Sequence, residues 1–310
     1  MRRKDLQRLQ QPLLNSQAIN QCIQQGHQWN GDGLPLAMRE IRLGGSGDLN
    51  STQQGSGIDF SETRPYQPGD EPRHINWRAT ARTGTPQVRV FHKDLSPQCY
   101  FFIDRRASMR FGTRTRLKVT QATRLALFLA SWEVKQGTEL GCLILNNTPQ
   151  WQAASNGQQA IQQLAQSATL ACPPLDGDSK FNFKYALSLL IEQIPQGSHV
   201  YLLSDFQDVT TDLQAQLYQL GQNHQVFAIS VYDIAEQQLP KAGYLHLSWQ
   251  GFRNDQLIDT ENNKVQQDYQ LRFNENQEKI KQLCNKTDIN FISISNQADN
   301  IASALRDTSA

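Results

Sequence analysis

The run QCYFFID, Gln98–Asp104, decides how this chain folds. Its five consecutive apolar side chains lack the alternation of a half-exposed strand and are too few for a helix. They read as a strand covered on both faces and closed by a carboxylate. Toward the C-terminus, helical spacing follows over 115–136 (Leu117, Ala122, Leu125, Phe128), then a second buried run, ELGCLILN at 139–146. Helices are expected over 157–168 and 183–194, the strand HVYLLSD at 199–205, a helix over 210–222 and the strand QVFAISVYD at 225–233. GYLHLSW (243–249) and QLIDT (256–260) read as a hairpin, followed by a long helix over 264–285, the strand INFISIS (289–295) and a short last helix. Buried strands alternating with helices imply right-handed crossovers and a doubly wound, mainly parallel α/β sheet of the Rossmann type.

Upstream of residue 97 the pattern differs. Apolar positions at helical spacing (Leu6, Leu9, Leu13, Leu14, Ala18, Ile19, Cys22, Ile23) predict an amphipathic helix over 5–27. RLGGSGDLNSTQQGSG at 42–57 reads as a flexible loop, and HINWRATA and PQVRVFH read as strand-like pieces. Two domains are therefore expected: residues 1–96, an N-terminal helix with a small β-rich region, and residues 97–310, the α/β domain.

No window approaches 18 uninterrupted apolar residues, so no membrane span is expected, and the basic start MRRKDLQRLQQPLLNS lacks the features of a secretory signal. Five scattered cysteines with no C-x-x-C pair argue against a disulfide framework or zinc cluster and for a reducing compartment, hence the cytoplasm. Net charge is +1, but residues 72–132 hold twelve Lys or Arg against Asp94 and Asp104, a local +10. That stretch reads as a solvated face, a dock for an acidic partner or, with no recognised motif beside it, a nucleic-acid surface.

In sheets of this kind, ligands gather beyond the carboxyl ends of the strands where strand order reverses. Asp104 and Asp205 both end apolar strands, and Ser108 lies four residues past the first. This pattern resembles the metal-ion-dependent adhesion site of von Willebrand factor A domains. Carried over by position, Asp104 and Ser108 match the first Asp and last Ser of its D-x-S-x-S motif, and Asp205 matches its final Asp. Arg106 stands where the first Ser belongs, and the Thr position falls on Phe181, or on Ser179 if the loop shifts register. Mg²⁺ demands near-octahedral oxygen ligands, and a guanidinium beside the carboxylates opposes it. Arg106 is therefore expected to occupy the cation position and bridge Asp104 to Asp205. The other reading turns Arg106 to solvent and leaves, at most, weakly held Mg²⁺ on Asp104, Ser108 and Asp205.

A second block runs from Gly55 to Arg82. Pro68-Gly69 suits a tight turn, Asp70 is placed to bond local backbone or Arg73, and Trp77 is an apolar anchor flanked by Arg78 and Arg82. The string Asp59, Arg64, Tyr66, Gly69, Asp70, Arg73, Trp77, Arg82 closely resembles the signature of the "domain of unknown function 58" family, with Asn76 where members often carry Asp. The resemblance covers roughly residues 38–305. It implies a von Willebrand A-like domain acting beside a MoxR-type AAA+ ATPase in chaperone-like assembly or activation of targets. Unlike members with N-terminal membrane helices, this chain is expected to be soluble.

With no G-x-x-x-x-G-K-[ST], the chain cannot supply ATP hydrolysis itself. The expected role is a non-catalytic, cofactor-free binding adaptor. Two other classes compete: a metal-dependent hydrolase or phosphotransferase at Asp104 and Asp205, and a nucleic-acid binder using 72–132. The six histidines form no paired motif and there is no G-x-S-x-G elbow, which weighs against catalysis.

Overall fold

The computed structural model describes residues 11–32, 54–67, 70, 72–92, 97–172, 181–207, 209–247 and 256–307. In chain order the elements are α1 (Ser16–Gln28), β1 (Gln54–Pro65), α2 (Trp77–Thr83), β2 (Gln87–His92), β3 (Gln98–Asp104), α3 (Lys118–Lys135), β4 (Glu139–Leu145), β5 (Pro149–Ser155), α4 (Gly157–Ala168) and α5 (Phe183–Gln193). They continue with β6 (His199–Ser204), α6 (Gln214–Asn223), β7 (Gln225–Tyr232), α7 (Ile234–Gln237), β8 (Tyr244–Leu247), β9 (Gln256–Asp259), α8 (Asn263–Lys286), β10 (Asn290–Ser295) and α9 (Ile301–Asp307). Among the described residues, no helix is long and apolar enough to cross a membrane.

The chain divides into two compact units, Met1–Leu36 with Pro97–Ala310, and Ala37–Ser96. The larger holds a six-stranded sheet in the order β10-β7-β6-β3-β4-β5, parallel except for β5 at the edge. Counted within the sheet this is 3-2-1-4-5-6, a doubly wound order whose reversal lies between β3 and β6. Alternate residues of β3 serve opposite faces. Tyr100 and Phe102 share one core with Phe183, Leu187 and Leu190 of α5, Leu217 and Leu220 of α6, and Ile280 and Cys284 of α8. α3 and α4 pack against the sheet as well, and α1 packs against α3. That outer cover explains why fourteen of the eighteen residues of α3 are buried.

The position of α1 corrects the expected boundary, which grouped it with the β-rich region. Gly26 lets the two helices approach so closely that an added Cβ would stand 2.0 Å from the Phe128 carbonyl oxygen. Trp29 packs on Phe128 and Trp132, and Ser131 donates to the Ile23 carbonyl at 2.7 Å. The helix also starts later than expected, at the Asn15 cap, whose side chain accepts the Ala18 amide. Residues 5–10 of that expectation lie outside the described residues.

In the smaller unit, β1 pairs antiparallel with β2 through two register shifts. These irregularities take up GSGIDF, a piece whose glycines had placed it partly in the expected loop. HINWRATA, expected as a strand, is a bridge at Ile75 followed by α2. Asn76 caps that helix through the Ala79 amide, and Gly84 ends it at φ 72°. All five cysteines are free and buried.

Candidate functional site

The sheet brings the ends of β3 and β6 side by side at the reversal of strand order. Asp104 is fully buried there and accepts four kinds of donor. The Arg106 amide and Nε reach Oδ1 at 3.0 Å each, Arg106 Nη2 reaches Oδ2 at 2.8 Å, and the Ser204 hydroxyl reaches Oδ2 at 2.7 Å. The guanidinium also lies over the Phe183 ring, 5.7 Å from its centroid. Ser204 Oγ in turn accepts the Phe206 amide at 3.1 Å, and Phe206 is held at a left-handed φ of 52°. A non-glycine residue in that region stores strain on the order of 1–3 kcal/mol, tolerated where the surroundings over-determine the backbone.

Asp205 is served differently. The expected bridge through Arg106 is not what forms among the described residues: Arg106 clasps Asp104, and Asp205 Oδ2 accepts Lys118 Nζ at 2.8 Å. The same ammonium donates to Glu236 Oε1 at 2.6 Å, and Gln207 Nε2 reaches that oxygen at 3.0 Å. Lys118 is completely buried, at the first position of α3. Burial works to lower its pKa, but the attraction of Asp205 and Glu236 prevails and raises it, so the ammonium stays charged. Glu236 is held above the usual carboxylate range, by burial first and with the charge of Asp205 adding to it, despite Lys118. One cation between two carboxylates leaves the trio one positive charge short of balance when both acids are ionised.

A third strand-end carboxylate, Asp233, completes the rim. It accepts the Thr113 hydroxyl (2.6 Å) and amide (2.8 Å), the Ala235 amide (2.9 Å) and Asn296 Nδ2 (2.6 Å). Burial pushes its pKa up, but these donors outweigh it and hold the group below its ordinary value. Glu236 Oε2 accepts the Asp233 amide at 2.9 Å, closing a capping box on α7. Lys118, Ser204, Asp233 and Glu236 were not singled out in the sequence. For Asp233 the signal was present, since QVFAISVYD ends in Asp as CYFFID and HVYLLSD do.

Other expected residues fall outside this network. Ser108 is half-buried on a one-turn 3₁₀ helix, Ala107–Arg110, and makes no hydrogen bond among the described residues. Phe181, at the Thr position, packs on Tyr185, and Ser179 lies outside the described residues. Both Asp104 oxygens and Asp205 Oδ2 are already bonded to cations or a hydroxyl, and with a guanidinium and an ammonium on these carboxylates the residues do not fit Mg²⁺. Among the described residues, no group of three or more His, Cys, Asp or Glu is placed to hold a metal.

The basic stretch is also less of a surface than its count implies. Arg105, Arg106, Arg110 and Lys118 are buried. Arg105 donates to the carbonyls of Ser167 and Ala171 at the C-terminal end of α4, where a cation complements the helix dipole. Arg116 and Arg124 bind the carbonyl of Ala298.

In the smaller unit, Asp70 pairs with Arg64 rather than Arg73. Arg64 donates through both terminal nitrogens at 2.8 Å, and the Gln67 amide bonds Asp70 at 2.8 Å, as local backbone bonding required. Arg64 first and then the amide hold Asp70 below its ordinary pKa. Tyr66 is fixed by its amide to the Pro86 carbonyl, and its ring is partly exposed. Trp77, expected as an anchor, is 72% exposed at the start of α2, with Arg73, Arg78 and Arg82 exposed near it in sequence. Asp59 lies on β1 opposite His92, and Gly69 lies outside the described residues.

Fold and rim together define a doubly wound, mainly parallel α/β domain whose strand-end carboxylates are held by its own side chains. The chain belongs to the family described as "Protein of unknown function DUF58", whose model matches residues 62–279. The uncharacterized protein Rv1480 of Mycobacterium tuberculosis is 27% identical over 197 residues, 64% of this chain and 62% of that protein. The chain therefore spans less than two thirds of the curated relatives it matches. BatB of Bacteroides thetaiotaomicron overlays 69% of this chain and 96% of its own, at 14% identity and a TM-score of 0.40. A von Willebrand factor type A protein of Catenulispora acidiphila overlays 46% of this chain and 35% of its own, at 11% identity and a TM-score of 0.33. The fold assignment stands on strand order, independently of these overlays.

Proposed function

We propose that this chain is a non-catalytic, cofactor-free adaptor of the cytoplasm that binds protein. In this reading it works with a MoxR-type AAA+ ATPase in chaperone-like assembly or activation of target proteins. The observation that carries the reading is that side-chain cations already hold the strand-end carboxylates, Asp104 on both oxygens and Asp205 on Oδ2. A general base or nucleophile needs a lone pair free for substrate, and a metal-assisted hydrolase needs open ligand positions. Asp104 is bonded to Arg106 and Ser204, and Asp205 to Lys118. A rim so tied is suited to present a fixed shape and charge. The exposed Trp77 with Arg78 and Arg82 adds the residue types that dominate protein contacts. Five free buried thiols agree with a reducing compartment.

The test is recovery of partners by the tagged protein with a slowly hydrolysed ATP analogue. An AAA+ ATPase should be retained, and Glu236→Lys, which inverts the surplus charge of the rim, should weaken retention. Failure to retain any ATPase while the protein elutes from a DNA column with a steep salt slope would replace the adaptor reading with a nucleic-acid one.

A further inference from the structure

Lys118 is the wrong residue for its place by local rules. It opens α3, where the helix dipole disfavours a cation, and it is completely buried. Such violations are tolerated where a specific arrangement repays them. Here the ammonium lies 2.8 Å from Asp205 Oδ2 and 2.6 Å from Glu236 Oε1. The two carboxylate oxygens are therefore no farther apart than those two bonds laid end to end. Without a positive charge between them, they would repel one another in a buried setting.

We propose that Asp205 and Glu236 form a cation site built into this fold and permanently filled by the chain's own Lys118, so that a divalent ion is admitted only when that ammonium is removed. The inference goes beyond the adaptor reading and stands without it. It also differs from the substitution expected at Arg106, whose guanidinium clasps Asp104. Three loops meet at the ammonium: the start of α3, the end of β6 through Asp205, and the turn after β7 through Glu236. A metal ion would tie the same three loops only while bound; a lysine ties them always. Glu236 suits the role because Oε2 is committed to the Asp233 amide, which fixes the carboxylate and aims Oε1 at the site. Gln207 sits on the same oxygen and can turn its amide oxygen inward once the ammonium is gone.

The experiment is a Mn²⁺ titration followed by calorimetry and thermal unfolding. The wild type should take up no Mn²⁺ at the site and keep its unfolding midpoint in 1 mM Mn²⁺ or EDTA. Lys118→Ala should bind one Mn²⁺ at about 10⁻⁴ M, the weak end of oxygen-ligand sites. Its midpoint should then rise by about 3–5 °C in 1 mM Mn²⁺. Lys118→Gln, which keeps length and supplies an amide oxygen, should behave likewise and serves if the alanine variant does not fold. Adding Asp205→Asn should abolish the gain. Two results would overturn the proposal: one-to-one Mn²⁺ binding by the wild type that Glu236→Gln removes, or no binding by a folded Lys118 variant.

Discussion

Two arginine–aspartate clamps, each closed at 2.8 Å, sit in the two units of this protein. Arg64 holds Asp70 with side chains 24% and 18% exposed, and Arg106 holds Asp104 with side chains 8% and 0% exposed. The first closes a loop over six residues in water's reach, where an ion pair contributes little. The second sits under the sheet's rim with a serine and a backbone amide on the same carboxylate. Removing one partner there strands a buried charge. The two tryptophans differ in parallel. Trp29 is 7% exposed between Phe128 and Trp132, whereas Trp77 is 72% exposed. Identical chemistry thus serves internal order in one unit and surface presentation in the other.

The largest effect should come from Asp104→Ala, which leaves Arg106 and Ser204 facing an emptied position. Denaturant unfolding should show a loss of about 3–5 kcal/mol. A loss under about 1 kcal/mol would place this clamp in the same energetic class as a surface pair. Trp29→Ala should be comparable, about 3–5 kcal/mol, because a large ring is lost from the α1–α3 contact.

Next in size is a pH effect at Asp233. Its folded pKa lies below the unfolded value of about 3.9, so its contribution is complete above that pH and is lost as pH falls through the folded value. Asp233→Asn, which keeps the cap, should be less stable than wild type at neutral pH, with the gap closing in acid. A gap that widens in acid would contradict the assignment. Asp70→Asn should speed amide exchange at Gln67, whose amide it holds, while leaving the unfolding midpoint nearly unchanged. The smallest effect on stability belongs to Trp77→Ala, within about 0.5 kcal/mol. On the proposed adaptor reading, that variant should nevertheless weaken recovery of an AAA+ ATPase.

The sheet was legible because its strands are continuous apolar runs, three of them closed by Asp, and β3, β4, β6 and β7 formed where those runs stand. β5 was missed because PQWQAAS is an edge strand, half-buried and polar, with little to separate it from a loop. HINWRATA misled because its residues suit strands, whereas the Asn76 cap and Gly84 stop make a short helix that buries none of its residues. At the rim, the Asp104–Arg106 pair was within reach because two positions separate the partners. Lys118 was not: its partners lie 87 and 118 positions away, and in the sequence it was one of twelve cations in a basic stretch. Side chains that meet only through the fold leave no local spacing to read.

The claim on which the account turns is that side-chain cations, not a bound metal, organise the rim. Crystals of the wild type grown in millimolar Mn²⁺ and measured for anomalous scattering address it directly. The account predicts no anomalous peak beside Asp104 or Asp205, with Lys118 Nζ between Asp205 and Glu236 and the Arg106 guanidinium on Asp104. A manganese peak within bonding distance of either aspartate, with Lys118 or Arg106 turned away, would contradict it.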